Sequence, residues 1–363
     1  MSSSLIIIGD ELIFNKPFMS YVSQELEKHI NIIDSIKLLN KNDNDFFIKL
    51  EACINEYNQT VILVNHSSFA FISKILSTIM NDHLELKDDV LMPSKTVLYS
   101  KNSYVIQENE RSINVLSVKE NEKLPEILIN DHIESKTFTL IDIDIDSIKI
   151  LLEPICSNYD IKIIATSIIE GLVKINAKAY KYGNLENFLK AVKSLFVGKF
   201  IENHNIIEHI ALKLEANNKK ITSVESCTGG LISSMLTKQA GISNVFDGAI
   251  VSYANKIKES WIGVSADTLK NYGAVSENCV SEMLSGALAA SGADFAMATS
   301  GIAGPSGGDK TKPVGTVFVG VKSKNQDMNI VRLLLEGDRH YIQTQSAYYA
   351  FKLLLQLDKK LFF

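Results

Sequence analysis

The sequence predicts an α/β protein with more than one domain. Short apolar runs of strand length at Leu5–Ile8, Thr60–Val64 and Ile221–Ser226 are each followed by a segment of helical spacing, and a further apolar run lies at Phe295–Thr299. Between them, residues 135–200 show a mixed strand and helix pattern. The chain has 363 residues, of which 46% are hydrophobic. At ~150 residues per domain it is long enough to bury two or three cores.

Composition argues against several classes of partner. The net charge of -5 and the pI near 5.9 predict no basic surface for nucleic acid or for an anionic membrane. No stretch approaches the ~18 apolar residues of a membrane span, and the apolar run near the N-terminus is too short for a signal peptide, so we expect a cytoplasmic protein. Neither disulfides nor structural zinc are expected, since the four cysteines are widely spaced: Cys53, Cys156, Cys227 and Cys279.

The first 134 residues are predicted to form a three-layer α/β domain. The predicted elements are a strand at Leu5–Ile8, a turn at Gly9–Leu12, a helix at Tyr21–Lys28, a strand at Thr60–Val64 and a helix at Phe69–Met80. Strands that alternate with helices normally pair in parallel and carry helices on their faces. The stretch Asp88–Asn130 has no readable periodicity.

Residues 135–200 are predicted to form a small α+β module. Apolar and polar residues alternate over Thr137–Asp146, which predicts a half-buried strand, and Ser147 is the expected cap of a helix through Ile155. The later predicted elements are strands at Asp160–Thr166 and Gly171–Ala179 and a helix at Leu185–Phe196. The carboxylates of Asp142, Asp144 and Asp146 indicate either a solvated strand face or, less often, a hard-cation site.

Residues 201–363 are predicted to form an α/β sandwich. The predicted strands are Ile221–Ser226, Ala249–Tyr253, Phe295–Thr299, Thr316–Lys322 and Asn329–Leu335. The predicted helices are Ile206–Glu215, Leu231–Gln239, Lys256–Ile262, two that follow the caps Ser265 and Ser276, and a long one from Arg339.

The strongest chemical signal is Ser226 within Glu225–Gly230, where a strand runs into a glycine turn that opens a helix. Such a turn gathers backbone N–H groups and a positive helix end, so a serine there would have donors for a developing oxyanion. A plain helix cap and a phosphate cradle are the alternatives. Because His340 is the single histidine after residue 210, a buried lysine is the candidate base, and Lys256 and Lys258 are placed for it. Each lysine taken alone fits a solvated helix face better than a catalytic position.

Two further segments suggest ligand binding. Thr299–Gly308 follows a buried strand and offers hydroxyls and backbone amides to an anion, or else it is a long hairpin connection. Arg339 opens the last helix, where a guanidinium can grip a phosphate or pair with Asp338 or Glu336.

These segments together resemble the CinA C-terminal family, whose characterised members include nicotinamide mononucleotide deamidases. The matching segments are ESCTGG at 225–230, AIVSYANKIK at 249–258, GVSADTLKNYGAVSE at 263–277, TSGIAGPSGG at 299–308, KPVGTV at 312–317 and GDR at 337–339. The resemblance implies hydrolysis of the carboxamide with no metal or cofactor, with Ser226 as nucleophile, Lys258 as base and Tyr253 assisting. It implies that Arg339 holds the substrate phosphate and that further residues line the pocket: Thr228, Gly229, Ser300, Gly301 and Gly304. Cys227 is the rival nucleophile.

The earlier parts resemble longer CinA proteins, in which a molybdopterin-binding-like domain (here 1–134) and a KH-like module (135–200) precede the deamidase (201–363). Where relatives carry a Gly-Gly-Leu-Gly-Pro-Thr phosphate loop, this chain has Val64–Phe69, which contains no glycine. The pyrophosphatase activity of some relatives is therefore not expected. Family resemblance also implies a homodimer. Two alternatives stay open: a non-catalytic binding or assembly protein linked to competence or damage response, and an amidase for another amide.

Overall fold

The structure is a computed structural model that describes residues 2–30, 33–88, 90–129, 135–180, 182–202 and 205–363. The chain folds as two compact units, Met1–Glu134 and Ser135–Phe363. Both combine helices with sheets, so the predicted α/β class is confirmed. The predicted boundary after residue 134 lies outside the described residues, and the predicted division of the second unit after residue 200 stays a prediction.

The first unit is a six-stranded sheet between helices. Its described strands are β1 (Ser3–Ile8), β2 (Ser35–Leu39), β3 (Gln59–Asn65), β4 (Leu84–Lys87), β5 (Val90–Pro93), β6 (Thr96–Ser100), β7 (Ser103–Glu108) and β8 (Arg111–Val118). Its helices are α1 (Asp10–Phe14), α2 (Lys16–Leu26), α3 (Phe46–Glu56) and α4 (Phe69–Ile79). The strand order of the six-stranded sheet is β2-β1-β3-β8-β7-β6, with the first four parallel, and β4 and β5 pair separately as a two-stranded antiparallel sheet. Alternate residues of β1 face two different cores, which confirms the three layers.

The second unit begins with an antiparallel sheet and two helices. Its elements are β9 (Ser135–Ile141), α5 (Ile145–Tyr159), β10 (Ile161–Ile169), β11 (Leu172–Ala179), α6 (Leu185–Leu195) and β12 (Phe200–Ile201), in the sheet order β10-β11-β9-β12. The predicted strand Thr137–Asp146 is wrong in its second half. The chain leaves the sheet at Asp142, which has a left-handed φ of 57°. Asp144 then caps α5 by accepting from the N–H groups of Asp146 and Ser147, so the predicted Ser147 cap is also wrong.

The rest of the second unit is a five-stranded mixed sheet with helices on both faces. Its strands are β13 (Ile221–Glu225), β14 (Phe246–Val251), β15 (Phe295–Gly301), β16 (Thr316–Ser323) and β17 (Met328–Leu334). Its helices are α7 (Ile206–Ala216), α8 (Leu231–Thr237), α9 (Asn255–Ile262), α10 (Ala266–Asn271), α11 (Glu277–Ser291), α12 (Arg339–Leu357) and α13 (Lys359–Phe362). Ser265 and Ser276 cap α10 and α11 as predicted. Strand β14 begins and ends earlier than predicted, so Tyr253 lies beyond it.

The strand order of this sheet places the carboxyl ends of three parallel strands side by side. The order is β14-β13-β15-β16-β17, and β13 pairs in parallel with both of its neighbours. Met297 packs on the side of α7, α8 and α12, and its neighbours Ala296 and Ala298 pack on the side of α9 and α11. The carboxyl ends of β13, β14 and β15 therefore meet at one edge, where α/β sites usually form. No helix in the described part of the chain is long and apolar enough to cross a membrane.

Candidate active site

Ser226 is the first residue after the central strand β13. Its N–H donates to the carbonyl of Thr299 on β15 at 3.0 Å, so the turn begins anchored to the neighbouring strand. The residue is 8% exposed. The nucleophile predicted from sequence is therefore held at the carboxyl edge of the sheet with limited access to solvent.

Lys258 lies on α9 and is completely buried. Its Nζ lies 2.9 Å from Ser226 Oγ, 2.6 Å from the carbonyl oxygen of Ser252 and 3.2 Å from that of Tyr253. Burial lowers the pKa of Lys258, and the nearby thiols of Cys279 and Cys227 oppose this effect. A neutral amine has two N–H groups for the two carbonyls and one lone pair, which then faces the serine hydroxyl. The geometry suits a base that takes the Ser226 proton.

Glu225, the last residue of β13, has no exposed surface. Its carboxylate accepts six hydrogen bonds from three backbone N–H groups and three hydroxyls, which belong to Ser223, Thr228, Gly230, Ile232 and Ser233. Sequence reasoning missed this residue, although a carboxylate ending a buried strand was visible. Because the carboxylate already occupies the amides at the start of α8, this end of the helix is not a phosphate cradle.

The turn after Ser226 keeps a small set of donors open. Gly229 and Gly230 have φ of 61° and 101°, which lets the backbone reverse within two residues. The hydroxyl of Thr228 is engaged by Glu225 and by Thr299, each at 2.7 Å. Within the described residues, the N–H groups of Cys227 and Thr228 donate to no other residue. They are the amides that this turn leaves for an oxyanion.

Cys227 is poorly suited to be the nucleophile. It is 4% exposed, and burial raises the pKa of its thiol to about 12. Gln343 on α12 donates to its carbonyl oxygen at 2.7 Å, which fixes the backbone there. Cys227 is thus held as a neutral thiol.

Arg339 links Tyr253, whose carbonyl oxygen bonds Lys258, to Gly304. Arg339 donates from Nη1 to the Gly304 carbonyl at 2.7 Å and from Nη2 to the Tyr253 hydroxyl at 3.1 Å. Among the described residues, no carboxylate lies within ion-pair distance of Arg339, so the surface ion pair considered from sequence is not formed. Tyr253 is 61% exposed. Within the described parts of the chain, the guanidinium therefore has no ion-pair partner.

The predicted pocket residues Ser300, Gly301 and Gly304 determine how the backbone after β15 packs. Ser300 is buried and donates to the Ala274 carbonyl at 2.7 Å. A Cβ on Gly301 would lie 2.7 Å from Val317 Cγ2, and one on Gly304 would lie 2.6 Å from Val314 Cγ1. The two glycines allow the loop to pack closely against residues 314–317.

The comparisons agree on the last part of the chain. Residues 203–357 match the family described as the CinA C-terminal domain. The CinA-like protein of Thermotoga neapolitana is 49% identical over 146 residues, which are 40% of this chain and 35% of that protein. The chain thus spans about a third of the length of this curated relative.

Two smaller relatives are matched over nearly their whole length. The nicotinamide-nucleotide amidohydrolase PncC of Enterobacter agglomerans is 43% identical over 153 residues, which are 42% of this chain and 93% of that protein. A solved structure of the competence damage-inducible protein A of Klebsiella pneumoniae is 36% identical, covers 42% of this chain and 93% of its own, and has a TM-score of 0.40. This chain belongs to the CinA C-terminal domain family.

Proposed function

We propose that the protein hydrolyses the carboxamide of nicotinamide mononucleotide to nicotinate mononucleotide and ammonia. The observation that carries the proposal is the distance of 2.9 Å between Lys258 Nζ and Ser226 Oγ, in a site where the amine is fully buried. The similarity to a nicotinamide-nucleotide amidohydrolase over 93% of that enzyme supports the choice of substrate.

In the first chemical step, Ser226 Oγ attacks the carboxamide carbon while its proton passes to neutral Lys258. The carbonyl oxygen becomes an oxyanion, and the open N–H groups of Cys227 and Thr228 are the donors available to it. The ammonium of Lys258 then returns a proton to the leaving nitrogen, and ammonia departs. An ester of Ser226 with the nicotinate mononucleotide carboxyl group is left on the enzyme.

The second half of the reaction repeats these roles with water. Lys258, neutral again, takes a proton from a water molecule that attacks the ester carbon. The same amides hold the second oxyanion, and the proton returns from Lys258 to Ser226 Oγ as the acid leaves. One water is consumed for each ammonia released, so the protonation state of the enzyme is restored.

Arg339 would hold the phosphate of the substrate. Two of its N–H groups bond Gly304 and Tyr253, and the guanidinium has further N–H groups for phosphate oxygens. Tyr253, fixed by Arg339, would lie beside the nicotinamide riboside portion and position the amide. Arg339 would thereby set the affinity while the Ser226 pair sets the rate.

A buried, uncompensated amine favours an enzyme over a binding protein. Placing an amine in a dry site without a carboxylate is costly, and a surface that only docks a partner has no need of it. The family's competence-related names provide no comparable reason for the pairing of Ser226 with Lys258.

The test is ammonia release from nicotinamide mononucleotide by the full-length protein. Ser226→Ala and Lys258→Ala should abolish turnover. The matched controls are Ser234→Ala and Lys256→Ala, because both residues are exposed and lie close in sequence to the pair. Turnover that survives in Ser226→Ala would overturn the mechanism, and no turnover by folded wild-type protein would overturn the substrate.

A further inference from the structure

The donor and the acceptor of each hydrogen bond between Glu225, Thr228 and Thr299 can be assigned. A carboxylate can only accept, so the single hydroxyl proton of Thr228 is donated to Glu225 Oε2 at 2.7 Å. Thr228 Oγ1 must then accept from the Thr299 hydroxyl, which lies 2.7 Å away. The Thr299 hydroxyl proton is therefore donated to Thr228.

The same carboxylate sets the path of the turn. Its two oxygens bind the N–H groups of Gly230, Ile232 and Ser233 at 2.9 to 3.1 Å, which pins the start of α8 against the end of β13. Ser226, Cys227 and Thr228 lie between these fixed points. Their backbone is therefore held at both ends. The N–H groups of Gly229 and Leu231 bond the carbonyls of Ser226 and Thr228, whereas those of Cys227 and Thr228 donate to no other described residue.

We propose that Glu225 is a positioning residue, which orders the turn so that Ser226 and the N–H groups of Cys227 and Thr228 face the substrate while the Cys227 side chain stays buried. This proposal rests on the proposed deamidase function. Glu225 does not touch the reacting atoms. It acts through the Thr228 and Thr299 hydroxyls and through the helix amides.

A purely structural cap makes a different prediction, and the chain contains one for comparison. Glu282 on α11 accepts from the Ser265 N–H at 2.7 Å and from the hydroxyls of Ser265 and Thr268. It is a carboxylate that caps a helix in the same part of the fold but contacts none of the site residues described above. Glu282→Gln is therefore the matched control for Glu225→Gln.

The first readout is steady-state kinetics with nicotinamide mononucleotide. The amide of Glu225→Gln presents N–H groups to donors that need an acceptor, so the turn should shift. We expect kcat to fall about 100-fold, as for misplacement of about 1 Å, with KM changed less than about threefold. The pH at which activity rises should stay that of wild type, because Lys258 is not altered. Glu282→Gln should keep wild-type kcat even if it melts earlier.

The second readout needs no turnover. Iodoacetamide labelling, mapped by peptide mass spectrometry, should modify Cys227 at least about tenfold faster in Glu225→Gln than in wild type or Glu282→Gln, since Cys227 is only 4% exposed in the ordered turn and a shifted turn would open it to the reagent. If Glu225→Gln does not fold, Thr228→Val removes the hydroxyl that links Glu225 to Thr299 and should also expose Cys227. Wild-type kcat together with a protected Cys227 would overturn the positioning role. If Cys227 is protected in wild type and labelled in Glu225→Gln, but neither protein releases ammonia, the proposed deamidase function would be refuted and the positioning role of Glu225 would stand.

Discussion

Replacing Lys258 with methionine removes the proposed base and keeps most of its volume. The side chain is fully buried and its Nζ bonds Ser226 Oγ and two backbone carbonyls. Methionine fills the space but leaves the carbonyls of Ser252 and Tyr253 without this donor. Each lost donor costs ~1–3 kcal/mol, while the penalty for burying an amine disappears. We expect the free energy of unfolding to change by less than about 3 kcal/mol.

Activity should fall much further than stability. A positioned general base contributes roughly 10²–10⁴ in rate, or about 3–5.5 kcal/mol at 1.36 kcal/mol per tenfold change. Because burial lowers the pKa of Lys258 below its ordinary 10.5, wild-type kcat/KM should rise with pH through that lowered value and then level off. The variant should lose this rise.

The same lowered pKa gives stability a defined pH dependence. Between the folded pKa and 10.5 the unfolded chain binds more protons at Lys258 than the folded chain does, so stability rises with pH in that window. The Lys258 contribution is complete above 10.5 and is lost as the pH falls through the folded pKa. The assay is kcat/KM for ammonia release from pH 6 to about 10.5, with Lys256→Met as control and thermal melts of each protein. A Lys258→Met variant with wild-type kcat and an unchanged profile would refute the reasoning.

Three further predictions concern the phosphate, the rival thiol and the packing. Arg339→Ala should raise KM for nicotinamide mononucleotide by ~10–100-fold, because a charged hydrogen bond contributes about 1.5–3 kcal/mol. KM for nicotinamide riboside, which has no phosphate, should change much less, because only the hydrogen bond to Tyr253 is lost there; equal effects on both would contradict the phosphate role. Cys227→Ala should keep kcat within about threefold of wild type, and a loss as deep as that of Ser226→Ala would make Cys227 the nucleophile. Gly286→Ala should lower the free energy of unfolding by about 1–3 kcal/mol in denaturant titrations, because its Cβ would lie 1.9 Å from the Ile262 carbonyl oxygen. Gly248→Ala, with no atom within 4 Å of its Cβ, should not.

Much of the fold was predictable because periodicity and caps report on burial. Apolar residues at the spacing of strands and of helices predicted the α/β sandwich of the last 160 or so residues, a length typical of one domain. The errors have local causes. The Asp-Ile alternation at residues 142–146 fits a half-buried strand as well as a turn followed by an Asp144 cap, because short alternating runs carry both signals. Strand β14 is an edge strand with exposed Gly248 and Ala249, which blurs its pattern.

The site was predictable in its residues and less so in their environments. Lys256 and Lys258 are two positions apart on α9, so they point to different sides, and only Lys258 is buried. Sequence spacing could not say which side packs against the sheet. Glu225 was missed because a buried carboxylate is unfavourable unless donors surround it, and its six donors converge only once the turn has folded.

The central claim is that Ser226 carries the acyl group during amide hydrolysis, and hydroxylamine tests it most directly. An acyl ester on Ser226 can be captured by hydroxylamine as well as by water. We predict that the full-length wild-type protein, turning over nicotinamide mononucleotide with added hydroxylamine, forms the hydroxamate in proportion to the hydroxylamine present, and that Ser226→Ala forms neither hydroxamate nor ammonia. Ammonia released with nicotinate mononucleotide as the sole product at every hydroxylamine concentration, or hydroxamate formed by Ser226→Ala, would contradict it.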